Sequence, residues 1–499
     1  MLTVSTSVMR QMEANAIANN TSGFTLMKRA GIQAAQIINN QAARLNFTRA
    51  IFLVGSGNNG GDALVAAAHL NIPHIIYLYK DSDNFQNEAL EAFNTYKQQL
   101  NISKEHFHKA DLQDGDVIID GLLGIGFNGI NLKAPLAKIT QEVNASNRPV
   151  IALDLPTGLN ADTGIAVTDT IKAYLTITFS SPKIGSFLND GPQYCGRLRV
   201  VDIGIDYNSI KNDNALDIFT TIDAKKHFPK TPFAAHKKSR GQVLIIAGSK
   251  QYPGAATLSA TAALYSSFAG MVYLARPDVC QSNNNVPSAI VTLNLETNQE
   301  TGTLGENFIE QIKDLNFDAV ACGPGLGKIT PKTLKNLLEL KFFSVIDADG
   351  LNAIANSPFL WKKRSNVVLT PHHGEITRLA KAFNIPTSLD RITLAKELAK
   401  TLGCTILYKG PQTVIANENG QCIINSTGTN ALATAGSGDV LTGLIAAIGS
   451  TGLEPIYAAS LGAFIHGAAG ELGDLGISAD ELPKLARKIA QNLIYSVTF

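Results

Sequence analysis

Short, continuously apolar runs rich in β-branched residues alternate with segments of helical period through the first part of the chain. The runs are 50–54 (AIFLV), 75–79 (IIYLY), 117–120 (VIID), 150–153 (VIAL) and 175–179 (LTITF), each bounded by polar or Gly-rich positions. Strands of a parallel sheet read this way, because helices cover both of its faces. Residues 62–70, 84–99 and 135–143 supply helices between them. Alternation of this kind predicts a doubly wound, Rossmann-like α/β sheet. The rhythm breaks over 206–240, a polar stretch carrying Pro229 and Pro232, and the domain junction is expected there, dividing 1–212 from 213–499. Beyond it the alternation resumes with 243–247 (VLIIA), 271–275 (MVYLA), 319–322 (AVAC), 344–346 (SVI), 367–369 (VVL), 405–408 (TILY) and 413–416 (TVIA). Both halves are therefore α/β, but their loop motifs differ, which predicts a fusion of two domains and not a duplication.

Composition narrows the function. At 499 residues the chain has room for about three domains of ~150 residues or two large α/β ones. Its 42 Lys+Arg against 41 Asp+Glu lack the basic excess of a nucleic-acid binder, so small-molecule chemistry is the default. The five cysteines form no CxxC pair and fit neither a disulfide framework nor a structural zinc site; a reducing cytoplasm is expected. Arg10, Gln11 and Glu13 interrupt the N-terminus before a signal-like apolar run can develop, and no stretch approaches the ~20 apolar residues of a membrane span. The expected protein is soluble, acts on neither nucleic acid nor membrane, and forms a homo-oligomer through apolar helix faces.

The run AIFLV leads into Gly55-Ser56-Gly57-Asn58-Asn59-Gly60-Gly61-Asp62. GxGxxG between a strand and a helix, with Asp81 further on as a possible ribose partner, taken alone suggests a nicotinamide dehydrogenase. A pyrophosphate at a helix N-terminus, however, wants bare N–H groups and positive dipole, whereas Asp62 brings a carboxylate. Two adjacent Asn side chains can both donate and accept, which suits a mixed polar ligand or an oxygen-coordinated cation. The alternative that needs no ligand is a glycine turn with Asp62 favouring the helix dipole. Asp120 ends VIID and Asp154 ends VIAL. Ligands of open parallel sheets sit beyond such carboxyl ends, and a partly buried Asp154 is placed for proton abstraction. Turn-forming aspartates are the competing reading.

GSGNNGGD, LMKRAG at 26–31, DGLLGIG, DLPTG and SPKIG at 181–185, in this order, resemble the NAD(P)H-hydrate epimerase family over nearly the first 205 residues. Members interconvert the R and S epimers at the hydroxyl-bearing C6 of hydrated nicotinamide cofactor (NADHX or NADPHX). The resemblance implies substrate contacts at Asn58, Asn59, Gly60, Gly61 and Asp62, at Gly124, Ile125, Gly126, Phe127, Asn128, Gly129 and Ile130, and at Asp154, with Asp154 handling the proton. It also implies a potassium ion held by Asn59, Asp120 and Thr157; hard cations choose such oxygen ligands. Ile125 and Thr157 depart from the Thr and Ser common in the family, and only the second keeps its hydroxyl.

In the second half, TGTNALATAGSGDVLTG over 427–443 puts small residues and glycines before an apolar helix, so backbone N–H groups can converge on an anion. Asp439 faces that hole. A carboxylate there repels phosphate unless it accepts a hydroxyl proton during phosphoryl transfer; an N-capping Asp is the alternative. The arrangement resembles the ribokinase-like fold. HKKSRG at 236–241, AGS at 247–249, YPGAA at 252–256, GPGLG at 323–327, DADGLN at 347–352, TPHHGE at 370–375 and KGPQT at 409–413 single out its ATP- or ADP-dependent NAD(P)H-hydrate dehydratases. Gly350 and Ser437 stand where that family often has Ala and Thr.

The resemblance implies substrate contacts at Ala255, Gly325, His372 and Asp439, and nucleotide contacts at Lys409, Gly410, Pro411, Gln412, Thr413 and Gly438. Read on their own terms, 409–413 also fit a turn between two strands, Gly325 a plain turn, and His372 a structural role. Asp347 and Asp349 either bind Mg²⁺ with the phosphates or order their loop. The reaction implied is phosphorylation of the C6 hydroxyl by ADP or ATP with Asp439 as base, followed by loss of phosphate to restore NAD(P)H. A small-molecule kinase fused to a non-catalytic ligand-binding module is the competing function.

Overall fold

All five apolar runs of the first half become strands: β1 (Arg49–Val54), β2 (His74–Leu78), β3 (Asp116–Gly121), β4 (Val150–Leu153) and β5 (Leu175–Phe179). In the computed structural model, which describes residues 2–206, 216–280, 285–473 and 475–495, the chain divides into two units, Met1–Leu216 and Asp217–Phe499. A sixth strand, β6 (Arg197–Val201), completes the first sheet in the order β2-β1-β3-β4-β5-β6, every pair parallel. Its sequence RLRVV escapes the apolar pattern because an edge strand is only half buried.

The helix after β1 starts at Asn58, with Gly57 as N-cap, and runs to Ala68. NNGGD is thus helical, not loop, and Asp62 stands in the second turn instead of the first. The helices expected at 84–99 and 135–143 are Asn87–Tyr96 and Ala134–Ala145. Two further helices, Thr6–Ala18 and Gly23–Leu45, precede β1. Ser5 and Ser22 cap them by accepting from Val8 N at 3.3 Å and Thr25 N at 3.1 Å. The second buries Leu26, Ala30, Ala34 and Ile38 in the core over the sheet, a stripe at helical spacing.

The second unit holds β7 (Asp217–Phe219), β8 (Gln242–Ile246), β9 (Met271–Pro277), β10 (Val291–Leu295), a short ribbon of β11 (Thr297–Asn298) and β12 (Thr303–Leu304), then β13 (Ala319–Cys322), β14 (Phe343–Ile346), β15 (Val367–Leu369), β16 (Thr405–Tyr408), β17 (Val414–Ala416) and β18 (Cys422–Asn425). Ten of them form one sheet ordered β10-β9-β8-β13-β14-β15-β16-β17-β18-β7. It is parallel except where β17 runs against β16 and β18. The 206–240 stretch is not wholly a linker. Within it β7 pairs in parallel with β18 and the helix Thr221–Lys226 follows under a Thr220/Asp223 capping box. Two nearly all-apolar helices, Ser437–Gly449 and Pro455–Gly473, contribute Leu444, Ile445, Phe464 and Ile465 to the core of this unit. All five cysteines are buried and free. No helix among the described residues is long and apolar enough to cross a membrane.

Candidate functional sites

The carboxyl ends of β1, β3, β4 and β5 border a cavity of about 600 Å³, a size suited to a small ligand. Asn58, Asn59, Asp62, Gly124–Phe127 and Asp154 line it. Asn128, Gly129 and Ile130 do not; they are exposed, Ile130 at 89%. Asp81 is exposed and outside the lining as well. Gly60 serves packing, since a Cβ there would stand 1.9 Å from the Gly55 carbonyl oxygen, and one on Gly61 would meet Met27 Cε at 2.5 Å. Gly124 borders the Asp154 carboxylate: a Cβ would lie 3.4 Å from its Oδ2.

Asp154 follows β4 in a left-handed conformation, φ 63°, and is 8% exposed. Lys183, 1% exposed, donates to Asp154 Oδ1, to Thr178 Oγ1 at 3.2 Å and to the Phe179 carbonyl at 3.2 Å, which occupies all three ammonium protons. Asp154 is therefore the anion of a buried ion pair and not a carboxylate in a merely apolar pocket. Behind it, Asp120 is fully buried. Its Oδ1 accepts Thr157 Oγ1 at 2.7 Å and Leu122 N at 3.2 Å, and its Oδ2 accepts Thr157 N at 2.8 Å. Burial pushes this carboxyl up to about 6, with the Thr157 and Leu122 bonds opposing. Asn59 Nδ2 donates to the Leu123 carbonyl at 3.0 Å, while Asn59 Oδ1 is buried without a partner.

In the second unit, Asp439 is the third residue of the helix Ser437–Gly449, so it does not cap it. The N-cap is Gly436, φ 86°, and no side chain caps the N-terminus. That leaves N–H groups and the positive end of the helix dipole for an anion. Burial, then the charges of Asp347, Asp349 and Glu375, push the Asp439 carboxyl up to about 7, with Lys409 opposing. Lys409, just past β16, donates to Asp347 Oδ1 at 2.7 Å and lies 3.9 Å from Glu375 Oε2. Gly438 leaves room for it, since a Cβ there would be 3.3 Å from Lys409 Nζ. Asp347 Oδ2 accepts Thr442 Oγ1 at 2.7 Å and Oδ1 also accepts Ala348 N at 2.8 Å. Asp349 Oδ2 accepts Gly327 N at 2.8 Å. These bonds order the loop, as one of the two readings of this aspartate pair expects.

Gly325, φ 61°, abuts Ala255, whose Cβ would be 2.9 Å from a Cβ at 325. Residues 409–413 do form the turn between antiparallel β16 and β17, but Gln412 at its tip, φ 51°, carries a buried amide whose oxygen and nitrogen both lack partners. Arg391 clamps the turn through the Pro411 carbonyl at 2.7 Å. His372 is an N-cap, its Nδ1 accepting Gly374 N at 2.9 Å, in a capping box with Glu375; its ring is half exposed.

A model of the NAD(P)H-hydrate dehydratase family matches residues 243–492, and one for the YjeF-related protein N-terminus matches residues 23–185. The bifunctional NAD(P)H-hydrate repair enzyme of Moorella thermoacetica is 35% identical over 467 residues, 90% of this chain and 88% of the relative. That of Mycobacterium leprae is 33% identical over 502 residues, 98% of each chain. The chain belongs to the bifunctional NAD(P)H-hydrate repair enzymes. A solved ADP/ATP-dependent NAD(P)H-hydrate dehydratase from Bacillus subtilis, co-crystallised with ATP and Mg²⁺, is 26% identical, covers 56% of this chain and 100% of its own, and superposes with a TM-score of 0.47.

Reasoning from sequence alone missed several residues of these repair-enzyme sites. Lys183 sat in a quoted motif, SPKIG, without a role. Arg10 and Glu13 reach the first cavity from the helix Thr6–Ala18, which carries no loop motif to flag it. His466, buried in Pro455–Gly473, bonds Ser437 and is hidden inside an apolar helix.

Proposed function

We propose that residues 1–216 interconvert the R and S epimers of NADHX and NADPHX, and that residues 217–499 dehydrate the S epimer to NAD(P)H at the expense of an adenine nucleotide, ADP or ATP. The observation that carries the second activity is Asp439 in the first turn of an uncapped helix, its carboxyl poised near neutrality beside Lys409. Phosphate oxygens accept from the helix N–H groups at Gly438. The C6 hydroxyl gives its proton to Asp439 as its oxygen attacks the terminal phosphorus and the bridging bond from that phosphorus to the departing nucleotide breaks; phosphate then leaves C6 as a C5 proton is lost. The unpaired amide of Gln412 supplies one donor and one acceptor, the complement of a purine edge, with Lys409, Gly410, Pro411 and Thr413 completing the nucleotide contact. Ala255, Gly325 and His372 flank the substrate. Among the described residues no group of three or more His, Cys, Asp or Glu comes together as a metal cage, so Mg²⁺ is assigned to the nucleotide phosphates and no step is routed through it.

In the first unit Asp154 handles the proton at C6. Asn59, Asp120 and Thr157 form a set of amide, carboxylate and hydroxyl oxygens suited to potassium, and the orphaned Asn59 Oδ1 supports that assignment. A bound potassium ion would supply positive charge beside Asp120. The buried free thiols support a cytoplasmic enzyme, and the bare Phe233 and Phe359 rings, the first fully exposed, support a homo-oligomer.

The test is incubation of the full chain with mixed hydrate epimers, with and without ADP or ATP, following both epimers by chromatography. Asp439→Asn is expected to stop nucleotide-dependent loss of the hydrate and spare epimer exchange; Asp154→Asn is expected to do the reverse. A stable phosphorylated product with no phosphate release would favour a kinase and overturn this reading.

A further inference from the structure

The epimerase cavity holds more acid chemistry than one proton-handling aspartate needs. Glu13, from the helix Thr6–Ala18, and Asp62, from Asn58–Ala68, line the same cavity as Asp154. The Lys183 ammonium is consumed by Asp154, Thr178 and Phe179. Neither the Glu13 nor the Asp62 carboxyl makes a hydrogen bond or ion pair among the described residues. One carboxylate is thus built as an anion, and two others line the same cavity with no counter-ion in contact.

Inverting a carbon that bears a hydroxyl and a ring nitrogen requires the C–O bond to break on one face and re-form on the other. Hydroxide is a poor leaving group unless it receives a proton, and water is a poor nucleophile unless it loses one. Two carboxyl groups in opposite protonation states supply that pair of transfers.

Resting on the proposed epimerase activity, we infer that Asp62 is its second catalytic residue, the acid that complements Asp154, with Glu13 as a neighbouring carboxyl of the same cavity that tunes it. In one direction the Asp62 proton passes to the C6 oxygen. The C–O bond breaks as the N1 lone pair forms C6=N1, and water leaves. Water then adds to the other face, returning the π electrons to N1 and giving its proton to Asp154. The proton gained by Asp154 returns to Asp62 through solvent before the next turnover, so the cycle consumes nothing.

The charged groups around Asp62 agree with the assignment. Burial pushes its carboxyl well above the usual range, the charges of Asp154 and Glu13 push further, and Lys183 opposes. Glu13 is itself raised by burial, then held back by Lys183 and Arg10 and pushed by Asp154 and Glu88. Lys80, past β2, is exposed at the rim. Arg29, on the neighbouring helix Gly23–Leu45, is turned away to the Ile203 carbonyl at 3.0 Å.

The test measures epimer exchange and nucleotide-dependent dehydration on the same full-length variants, across pH and in ¹⁸O water. Asp62→Asn is expected to lower kcat for exchange by about 10²-fold or more, with dehydration of the S epimer unchanged. Glu13→Gln removes a negative charge near the acid, so the alkaline limb of the exchange profile moves to lower pH; Glu13→Asp restores it. Wild-type exchange places ¹⁸O at C6. Exchange without isotope uptake, an active Asp62→Asn, or a Glu13→Gln profile that keeps its limb overturns the inference and leaves the epimerase reading standing. A wild-type chain that exchanges no epimers overturns that reading instead.

Discussion

The imidazole Nε2 of His466 lies 3.0 Å from the carbonyl oxygen of Ser437 and 3.2 Å from its hydroxyl. A carbonyl only accepts, so Nε2 carries the proton and the ring fixes the first residue of the helix that bears Asp439. Burial pushes this histidine down to about 4, the Ser437 bond opposing and Lys409 adding. The native state holds the ring neutral while the unfolded chain protonates it at about 6.5. The stability it contributes is therefore present above about pH 6.5 and is lost as pH falls toward 4, about 3 kcal/mol across that window. Urea unfolding at pH 7.5 and 4.5 is expected to show a larger acid loss for wild type than for His466→Gln. An equal loss in both would sink the assignment.

Asp439, the proposed base, is expected to set the acid side of the dehydration profile. A base must be ionised, so kcat/KM for dehydration is expected to fall about tenfold per pH unit below about 7. Asp349 is one of the charges that raise Asp439, after burial and Asp347. Asp349→Asn keeps an oxygen for the Gly327 N–H and is expected to move that limb to lower pH. An unmoved limb would show that the titrating group lies elsewhere.

Most of the fold was legible because parallel strands buried on both faces cannot hide: VIAL, LTITF, AVAC, VVL and TILY end where the apolar run ends. Most of the strands that escaped are edge, short or half-exposed ones, such as RLRVV of β6, where one polar face breaks the run; the buried CIIN of β18 escaped as well. At the sites, residues at strand ends and in Gly-rich turns were readable, because the chemistry and the backbone requirement coincide in one short segment. Glu13 and His466 were not. Each projects from a helix whose sequence is explained by packing, and only tertiary structure brings it to a carboxylate or a helix terminus. Sequence shows the charge of Asp347 but not the Lys409 ammonium and Thr442 hydroxyl that bond it.

The glycines of the first site divide by what a Cβ would meet. Gly60→Ala drives a methyl to 1.9 Å from the Gly55 carbonyl, and such overpacking costs about 1–3 kcal/mol or more. A lower thermal transition for the first unit and lost exchange are expected, with dehydration intact. Gly126→Ala points into open space, so the fold is expected to be kept and KM for the hydrate to rise. Equal destabilisation by both would contradict this division.

Removal of potassium is expected to slow epimer exchange and leave the Asp439 chemistry in place. Exchange assayed in potassium, then in choline chloride of the same ionic strength, measures the dependence. Asn59→Leu deletes the unpartnered Oδ1 and is expected to abolish the difference between the two salts; a variant still activated by potassium would move the ion to other oxygens.

Lys183→Met tests the ion pair that distinguishes Asp154 from the other carboxyls of its cavity. Losing one partner of a buried pair typically costs about 3–5 kcal/mol, so the first unit should melt earlier. The sharper readout is kinetic. Without the ammonium the Asp154 carboxylate loses the partner that holds its Oδ1 in place, so kcat for exchange is expected to fall while dehydration by the second unit is unchanged. Methionine occupies similar volume and supplies no charge. A destabilised variant with unchanged kcat for exchange would mean that Lys183 braces the turn after β5 without serving Asp154.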